Sequence, residues 1–194
     1  MRARLRKDWA CGDARGVIEN TSPEEKDRFE FALYVRPVGA AWANALAHKI
    51  MGDDDSARNS LIDYRDRLQA SLRLGNSPSY VPRRLGLLHA VLGEEETSMD
   101  QFDQLRKRAE ENPNSANRPA NHLDRDVDRA IALGWLGRKD EAVAELDRLI
   151  KEPTNLNVHL MRHCLDFWPL RDHPGFQAIL DHPANNRQLP DEKL

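Results

Sequence analysis

The sequence predicts an all-α fold in which helix pairs repeat along the chain. A glycine recurs at intervals of 40, 41 and 44 residues, at Gly12, Gly52, Gly93 and Gly137. Self-similarity at such a period is typical of stacked supersecondary units rather than of one closed globule. In addition, no window alternates apolar and polar residues with the period of two that indicates a strand. We therefore expect a solenoid of helix pairs with essentially no β-structure.

Composition and charge agree with this fold class. Charged residues make up 31% of the 194 residues and aromatic residues only 6%, with 10 glycines and 11 prolines. This is the profile of a single helical domain with a charged surface. The net charge of −3 gives no electrostatic footprint for nucleic acid. No apolar run has the length of a membrane span, and the two cysteines form no CxxC pair, so a cytoplasmic protein is expected.

The first predicted helix pair covers residues 2–36. A short helix over residues 2–11 is expected to end at Gly12, since glycine readily takes the left-handed conformation that closes a helix. The run Thr21-Ser22-Pro23-Glu24-Glu25 has the features of a helix start, with hydroxyl caps, proline in the first turn and acids near the dipole. The second helix should end before Pro37.

Three further helix pairs are predicted over residues 39–75, 79–111 and 122–152. Each pair has apolar residues at helical spacing on both sides of its turn glycine, and polar Gly/Pro/Asn-rich stretches separate the pairs. A cap is predicted over residues 155–182, and residues 183–194 form a polar tail. The whole of residues 1–182 is expected to be one helical-repeat domain.

The last three pairs share residue sizes at fixed distances from the glycine. The residue seven positions before it is small, as is the residue five positions after it, and the residue nine positions after it is large and apolar. These are Ala45, Gly86 and Ala130; Ala57, Ser98 and Ala142; and Leu61, Phe102 and Leu146. We expect the small residues where the two helices of a pair cross closely, and the large ones in the gap between neighbouring pairs.

The pattern Ala130-x-x-Leu133-x-x-Leu136-Gly137-x-x-x-x-Ala142-x-x-x-Leu146 resembles a tetratricopeptide repeat (TPR). The resemblance implies antiparallel helix pairs in a right-handed superhelix, whose concave face is lined by the first helix of each pair. The segment Leu165-Asp166-x-Trp168-Pro169-Leu170-Arg171-Asp172-x-Pro174-x-Phe176-Gln177-Ala178-Ile179-Leu180 is similar to one that often ends such arrays in bacterial signalling proteins. Together the two resemblances cover residues 39–182. They imply a scaffold that binds a protein or peptide and is not an enzyme.

The candidate partner-binding residues lie on two first helices that the resemblance places on neighbouring rungs. They are Tyr80, Arg83, Arg84 and Leu87 on one helix, and Asp124, Val127, Asp128 and Ile131 on the next. A partner segment with both charge and an apolar anchor would fit this set. The alternatives are that the opposite charges pair with each other, or that Asp124–Asp128 is a solvated face.

A second group of residues raises the possibility of metal chemistry. His159 and His163 share one helix face, with Cys164 adjacent and His173 nearby, but a zinc site needs three or four ligands. No glutamate follows His159, so the metalloprotease motif is absent, and the sequence has no phosphate-binding glycine loop or nucleophile elbow. The sequence therefore predicts no cofactor, metal or catalytic residue. The open alternatives are a metal-dependent sensor or enzyme using these histidines, and an oligomerisation module.

Overall fold

The computed structural model describes residues 12–21, 30–33, 36–74, 80–111, 120–152 and 156–185. The helices are α1 (Ala14–Glu19), α2 (Ala40–Ile50), α3 (Asp54–Arg73), α4 (Val81–Val91), α5 (Glu95–Glu111), α6 (Ala120–Trp135), α7 (Lys139–Leu149), α8 (Val158–His163) and α9 (Pro174–Asp181). A 3-10 helix, Leu165–Leu170, lies between α8 and α9, and another, Pro183–Asn185, follows α9. The predicted helical class is thus confirmed. The predicted helix over residues 2–11 and most of the predicted tail lie outside the described residues.

The region before α2 corrects the prediction of a helix that ends before Pro37; the predicted start of that helix, at residues 22–29, lies outside the described residues. The strands β1 (Glu30–Leu33) and β2 (Arg36–Gly39) form an antiparallel hairpin in which Phe31 is opposite Val38. Aromatic and β-branched residues favour extended structure, and proline cannot donate the backbone hydrogen bond that a helix needs. The expectation of essentially no strand is therefore wrong for these eight residues. Helix α1 was also not predicted.

The turns inside the last three pairs share one geometry. Gly52, Gly93 and Gly137 have φ of 80°, 80° and 82°, and Gly12 has φ of 72°. In each of the three turns the glycine N–H donates to the carbonyl three residues earlier. The next N–H donates to the carbonyl five residues earlier, with N···O distances of 2.8–3.3 Å across the three turns. This is the Schellman arrangement, which satisfies the carbonyls at the end of a helix. The left-handed conformation predicted for the recurring glycine is therefore confirmed.

The predicted small and large positions occupy the helix-helix contacts. The helices α2 and α3, α4 and α5, and α6 and α7 pack in pairs, and we call α2, α4 and α6 the first helices. The small residues Ala45, Gly86, Ala130, Ala57, Ser98 and Ala142 are all buried. In the middle pair, Ser98 Oγ donates to the Gly86 carbonyl at 2.8 Å. Leu61, Phe102 and Leu146 are at most 1% exposed and fill the core.

Neighbouring pairs also pack on one another, through α4 with α6, α3 with α4 and α5 with α6. The buried apolar residues of the described regions form one continuous cluster, from Ala14 to Leu180. Among these regions, no helix is both long enough and apolar enough to cross a membrane.

The C-terminal segment does more than cover the last pair. Helix α9 packs on α7, but the 3-10 helix Leu165–Leu170 contacts α7, α6 and also α2 of the first described pair. Leu170, Phe176 and Leu180 are buried as predicted for a cap, whereas Trp168 is 38% exposed. The segment therefore links the two ends of the repeat.

Candidate functional site

The structure brings the two predicted partner-binding clusters together on α4 and α6, which pack side by side. Three of the eight residues, Tyr80, Arg83 and Asp124, remain partly exposed. The other five are buried: Arg84, Leu87, Val127, Asp128 and Ile131. A partner cannot touch these five unless the packing around them opens. Their role in binding stays a prediction; in the structure these five side chains pack inside the chain.

The opposite charges of the two clusters pair with each other, as the alternative interpretation expected. Arg83 Nη1 lies 3.4 Å from Asp124 Oδ2 and 3.7 Å from Asp128 Oδ2. These distances are long for charge-assisted hydrogen bonds, and this buried nitrogen makes no hydrogen bond within the described residues. Burial lowers the pKa of Arg83 from its ordinary value, while the Asp124 carboxylate acts in the opposite direction. The result is a loosely coordinated, partly exposed guanidinium between two carboxylates.

Two further ion pairs continue this charged edge along α6. Arg125 donates to Asp126, and Arg129 pairs with Glu145 on α7. Burial raises the pKa of Glu145, and the Arg129 charge opposes that shift. The row of alternating charges on α6 is therefore held by partners and is not simply a solvated face.

Arg84 connects α4 to α2. Its guanidinium carbon lies 5.0 Å from the centroid of the Trp42 ring, a distance at which a cation is attracted to the ring face. Trp42 is fully buried, and its indole reaches in turn to the C-terminal segment. The tryptophan thus joins the charged cluster to a second polar centre.

That second centre is Asp166, which is buried on the 3-10 helix Leu165–Leu170, here called the strap. Trp42 Nε1 donates to Asp166 Oδ1 at 3.0 Å, and Cys164 Sγ lies 3.4 Å from Asp166 Oδ2. Trp135 Nε1 donates to the Asp166 backbone carbonyl, also at 3.0 Å. A buried carboxyl is costly without donors, and here the Trp42 indole and the Cys164 thiol supply them, while the Trp135 indole satisfies the backbone carbonyl. Sequence reasoning missed this centre, although an aspartate inside the apolar run Leu165–Leu170 was a visible signal.

The histidines of the metal hypothesis are divided between two places. The His159 and His163 rings lie 4.7 Å apart, centroid to centroid, while His173 Nε2 lies 3.0 Å from Asp140 Oδ1 on α7. Burial lowers the pKa of His163, followed by the charges of His159 and two arginines. In the regions that the structure describes, no three His, Cys, Asp or Glu side chains come together in a way that could hold a metal ion.

No protein-family model matches the chain, and neither a curated protein nor a solved structure matches it.

Proposed function

We propose that the chain is a TPR-like module that binds a protein or peptide and has no catalytic activity of its own. In this proposal its antiparallel helix pairs stack into a right-handed α-solenoid. The module serves as a regulatory or sensor part of a cytoplasmic bacterial signalling system.

The observation that carries the proposal is the threefold recurrence of one turn. The same left-handed glycine and the same pair of backbone hydrogen bonds close α2, α4 and α6. Small residues recur at each crossing, and a large buried residue follows each of them. Units of this kind build extended surfaces, and extended surfaces serve binding more often than catalysis.

The edge that best fits a partner is the Arg83 cluster between α4 and α6. Arg83 and Asp124 are partly exposed, with side-chain exposures of 16% and 20%, so both carry charge at the surface. The Arg83 guanidinium and the Asp124 carboxylate are the charged groups of this edge that a partner's polar group can reach. Tyr80, at the start of α4, adds a partly exposed aromatic ring. We propose a partner segment that combines a charged group with an apolar anchor.

A displayed peptide library, selected on the immobilised full chain, tests this proposal. The affinity of an enriched peptide is then measured by fluorescence anisotropy for wild type and for Asp124→Arg. The new arginine repels Arg83 and reverses the local field, so the dissociation constant should rise about tenfold or more. High salt should reduce the difference, because part of it is electrostatic steering.

The matched control is Asp103→Arg on α5. Asp103 is 57% exposed and pairs only with its neighbour Arg106 in the described regions, so this variant also loses a surface ion pair. It should bind the peptide as wild type does. Equal loss in both variants, or no enriched peptide at all, would contradict a binding edge at Arg83.

A further inference from the structure

We infer that the strap, Leu165–Leu170, is an intramolecular ligand of the first helices. The site that it occupies would accept a partner segment of the form Asp-aromatic-x-x-Leu. The inference rests on the proposed binding function and names a second site, away from the Arg83 edge. We call this seat, formed by Trp42, Gly134 and Trp135, the first-helix face.

Polar recognition in this seat comes from two indoles on two different helices. Trp42 Nε1 and Trp135 Nε1 each lie 3.0 Å from an oxygen of Asp166, one from the carboxyl and one from the backbone carbonyl. Between them they fix both the side chain and the backbone of one strap residue. The side-chain contact selects the residue type, and the backbone contact fixes the position of the segment along the seat.

Apolar recognition comes from a place where α6 lacks a side chain. A β-carbon at Gly134 would lie 3.2 Å from the Leu170 side chain, tighter than an ordinary contact, so glycine provides the space that the leucine fills. Leu170 is 1% exposed and follows Asp166 by four residues. The aspartate and the leucine thus mark the two ends of the recognised segment.

The strap is held to the helix pairs by its side chains, and four of its six residues are buried. It is a six-residue 3-10 helix containing Pro169, and such helices have poorer hydrogen bonds than α-helices. The preceding α8 has only six residues and ends at Cys164 in an extended conformation. Trp168 on the strap faces solvent, with the Arg171 guanidinium 4.3 Å from its ring centroid. Side-chain contacts with the first-helix face therefore carry most of the attachment.

An Asp-aromatic-x-x-Leu segment from a partner protein would compete with the strap for these contacts. The strap is tethered and has a high local concentration, so a free segment binds only the fraction of molecules whose strap is open. The apparent affinity of the chain for a free segment should therefore rise when a substitution weakens the contacts of the strap and leaves the seat intact. This expectation separates an internal ligand from an ordinary part of the core.

The probe is a fluorescein-labelled peptide with the sequence of residues 163–172, added to the full chain. Asp166→Ala removes the acceptor of Trp42 from the strap but leaves the seat unchanged, and the peptide's own aspartate can replace it. Anisotropy should show the peptide binding this variant about tenfold or more tighter than wild type. Asp172→Ala, an exposed change two residues beyond the strap, should match wild type. A peptide with alanine at the position of Asp166 should bind Asp166→Ala no more tightly than it binds wild type.

Three results would overturn the inference. The first is a peptide affinity that is the same for wild type, Asp166→Ala and Asp172→Ala, or that is the same for the peptide with aspartate and the peptide with alanine. The second is an Asp166→Ala chain that forms dimers and ignores the peptide, which would assign the seat to the strap of a second copy. The third comes from hydrogen exchange on wild type, which applies even if the variant fails to fold. If the amides of Phe167 and Arg171 exchange as slowly as those of Ala130–Leu133, the strap does not open separately. Because this test concerns the seat of Trp42, Gly134 and Trp135 and not Asp124, failure here leaves the Arg83 edge untouched.

Discussion

At the scale of single residues, glycines do two different jobs in this chain. Gly137 has φ of 82°, and a β-carbon there would meet nothing within 4 Å. Gly86 lies inside α4, where a β-carbon would come within 2.8 Å of the Phe102 ring. The first glycine is needed for its backbone conformation and the second for its lack of volume. Substitution should therefore destabilise the protein by different mechanisms at the two positions.

A double-mutant cycle with Phe102→Leu separates these mechanisms. Gly137→Ala should cost about 1 kcal/mol from left-handed strain, equally in both backgrounds. Gly86→Ala should cost about 1–3 kcal/mol through overpacking, partly offset by better helix propensity, and clearly less once Phe102 is leucine. Urea denaturation of the six proteins, wild type included, supplies the free energies of unfolding for the two cycles. If the effects of Gly86→Ala and Phe102→Leu on the free energy of unfolding simply add, the contact with Phe102 is not the cause of the destabilisation.

A titration prediction follows from His163. Burial first, then nearby positive charges, lower its pKa below the ordinary 6.5, so the unfolded chain binds the proton more tightly. Its contribution to stability is therefore complete above pH 6.5 and is lost as the pH falls through the folded-state pKa. His163→Asn should reduce the drop in melting temperature between pH 7.5 and 5.5.

The control for this titration is His182→Asn, which removes an exposed ring outside the cluster. Its melting temperatures at the two pH values are compared with those of His163→Asn. Two-dimensional NMR of the imidazole protons gives an independent measurement. A His163 midpoint at or above 6.5 would contradict the expected direction.

At the scale of elements, polar pairs across the turns connect neighbouring helix pairs. His48 pairs with Asp53, and His89 pairs with Glu94 at the equivalent turn. Arg65 of α3 lies 3.8 Å from Glu94, and Arg138 at the last turn lies 3.1 Å from Glu95. His48 and His89 lie four residues before their turn glycines, where the last unit has Leu133, and each pairs with an acid at its own turn. Exposed pairs of this kind are worth little singly and mainly set the order of the units.

The close crossing of α6 and α7 provides the element-scale prediction. Ala142 is fully buried, whereas Ala144, two residues along α7, is exposed. Ala142→Leu should cost about 1–3 kcal/mol because the added methyl groups push the helices apart. Ala144→Leu should change stability by less than about 0.5 kcal/mol, since surface substitutions rarely do more. Similar melting temperatures for the two variants would mean that residue 142 is not at a tight crossing.

Local pattern predicted the helices on both sides of Gly52, Gly93 and Gly137, because the determinants of these helices are local. Gly93 closes its own helix, and Ser98 and Phe102 lie on the next helix at spacings that the sequence displays. The hairpin at Phe31 was missed because a short apolar run fits a helix or a strand equally, and packing decides between them. The bond between Trp42 and Asp166 joins residues 124 positions apart. No periodicity reports a contact of that separation, so the second polar centre needed the structure.

At the scale of the whole molecule, the strap changes how the repeat holds together. In an open solenoid each unit contacts only its neighbours, and stability spreads along the array. Here the strap contacts α2 near one end and both α6 and α7 near the other. Gly12, just before α1, lies against residues that flank the strap, because a β-carbon there would come within 2.8 Å of the His163 carbonyl and 2.6 Å of Arg171 Nη2. Contacts between distant units should make unfolding more cooperative than in an open array.

Unfolding of wild type should therefore be a single transition, with far-UV circular dichroism and tryptophan fluorescence coinciding. Trp42→Phe keeps an aromatic ring but removes the indole donor to Asp166, so a buried acceptor loses its partner at about 1–3 kcal/mol. If the strap carries the coupling, hydrogen exchange should then quicken in α2 and α3 more than in α7, and the urea transition should broaden. Trp168→Phe is the matched control, since Trp168 is 38% exposed and its ring contacts the Arg171 guanidinium, a contact that phenylalanine can keep. Equal loss of protection in all three helix pairs of Trp42→Phe, or identical behaviour of the two variants, would mean that the closure through Asp166 does not couple the ends of the repeat.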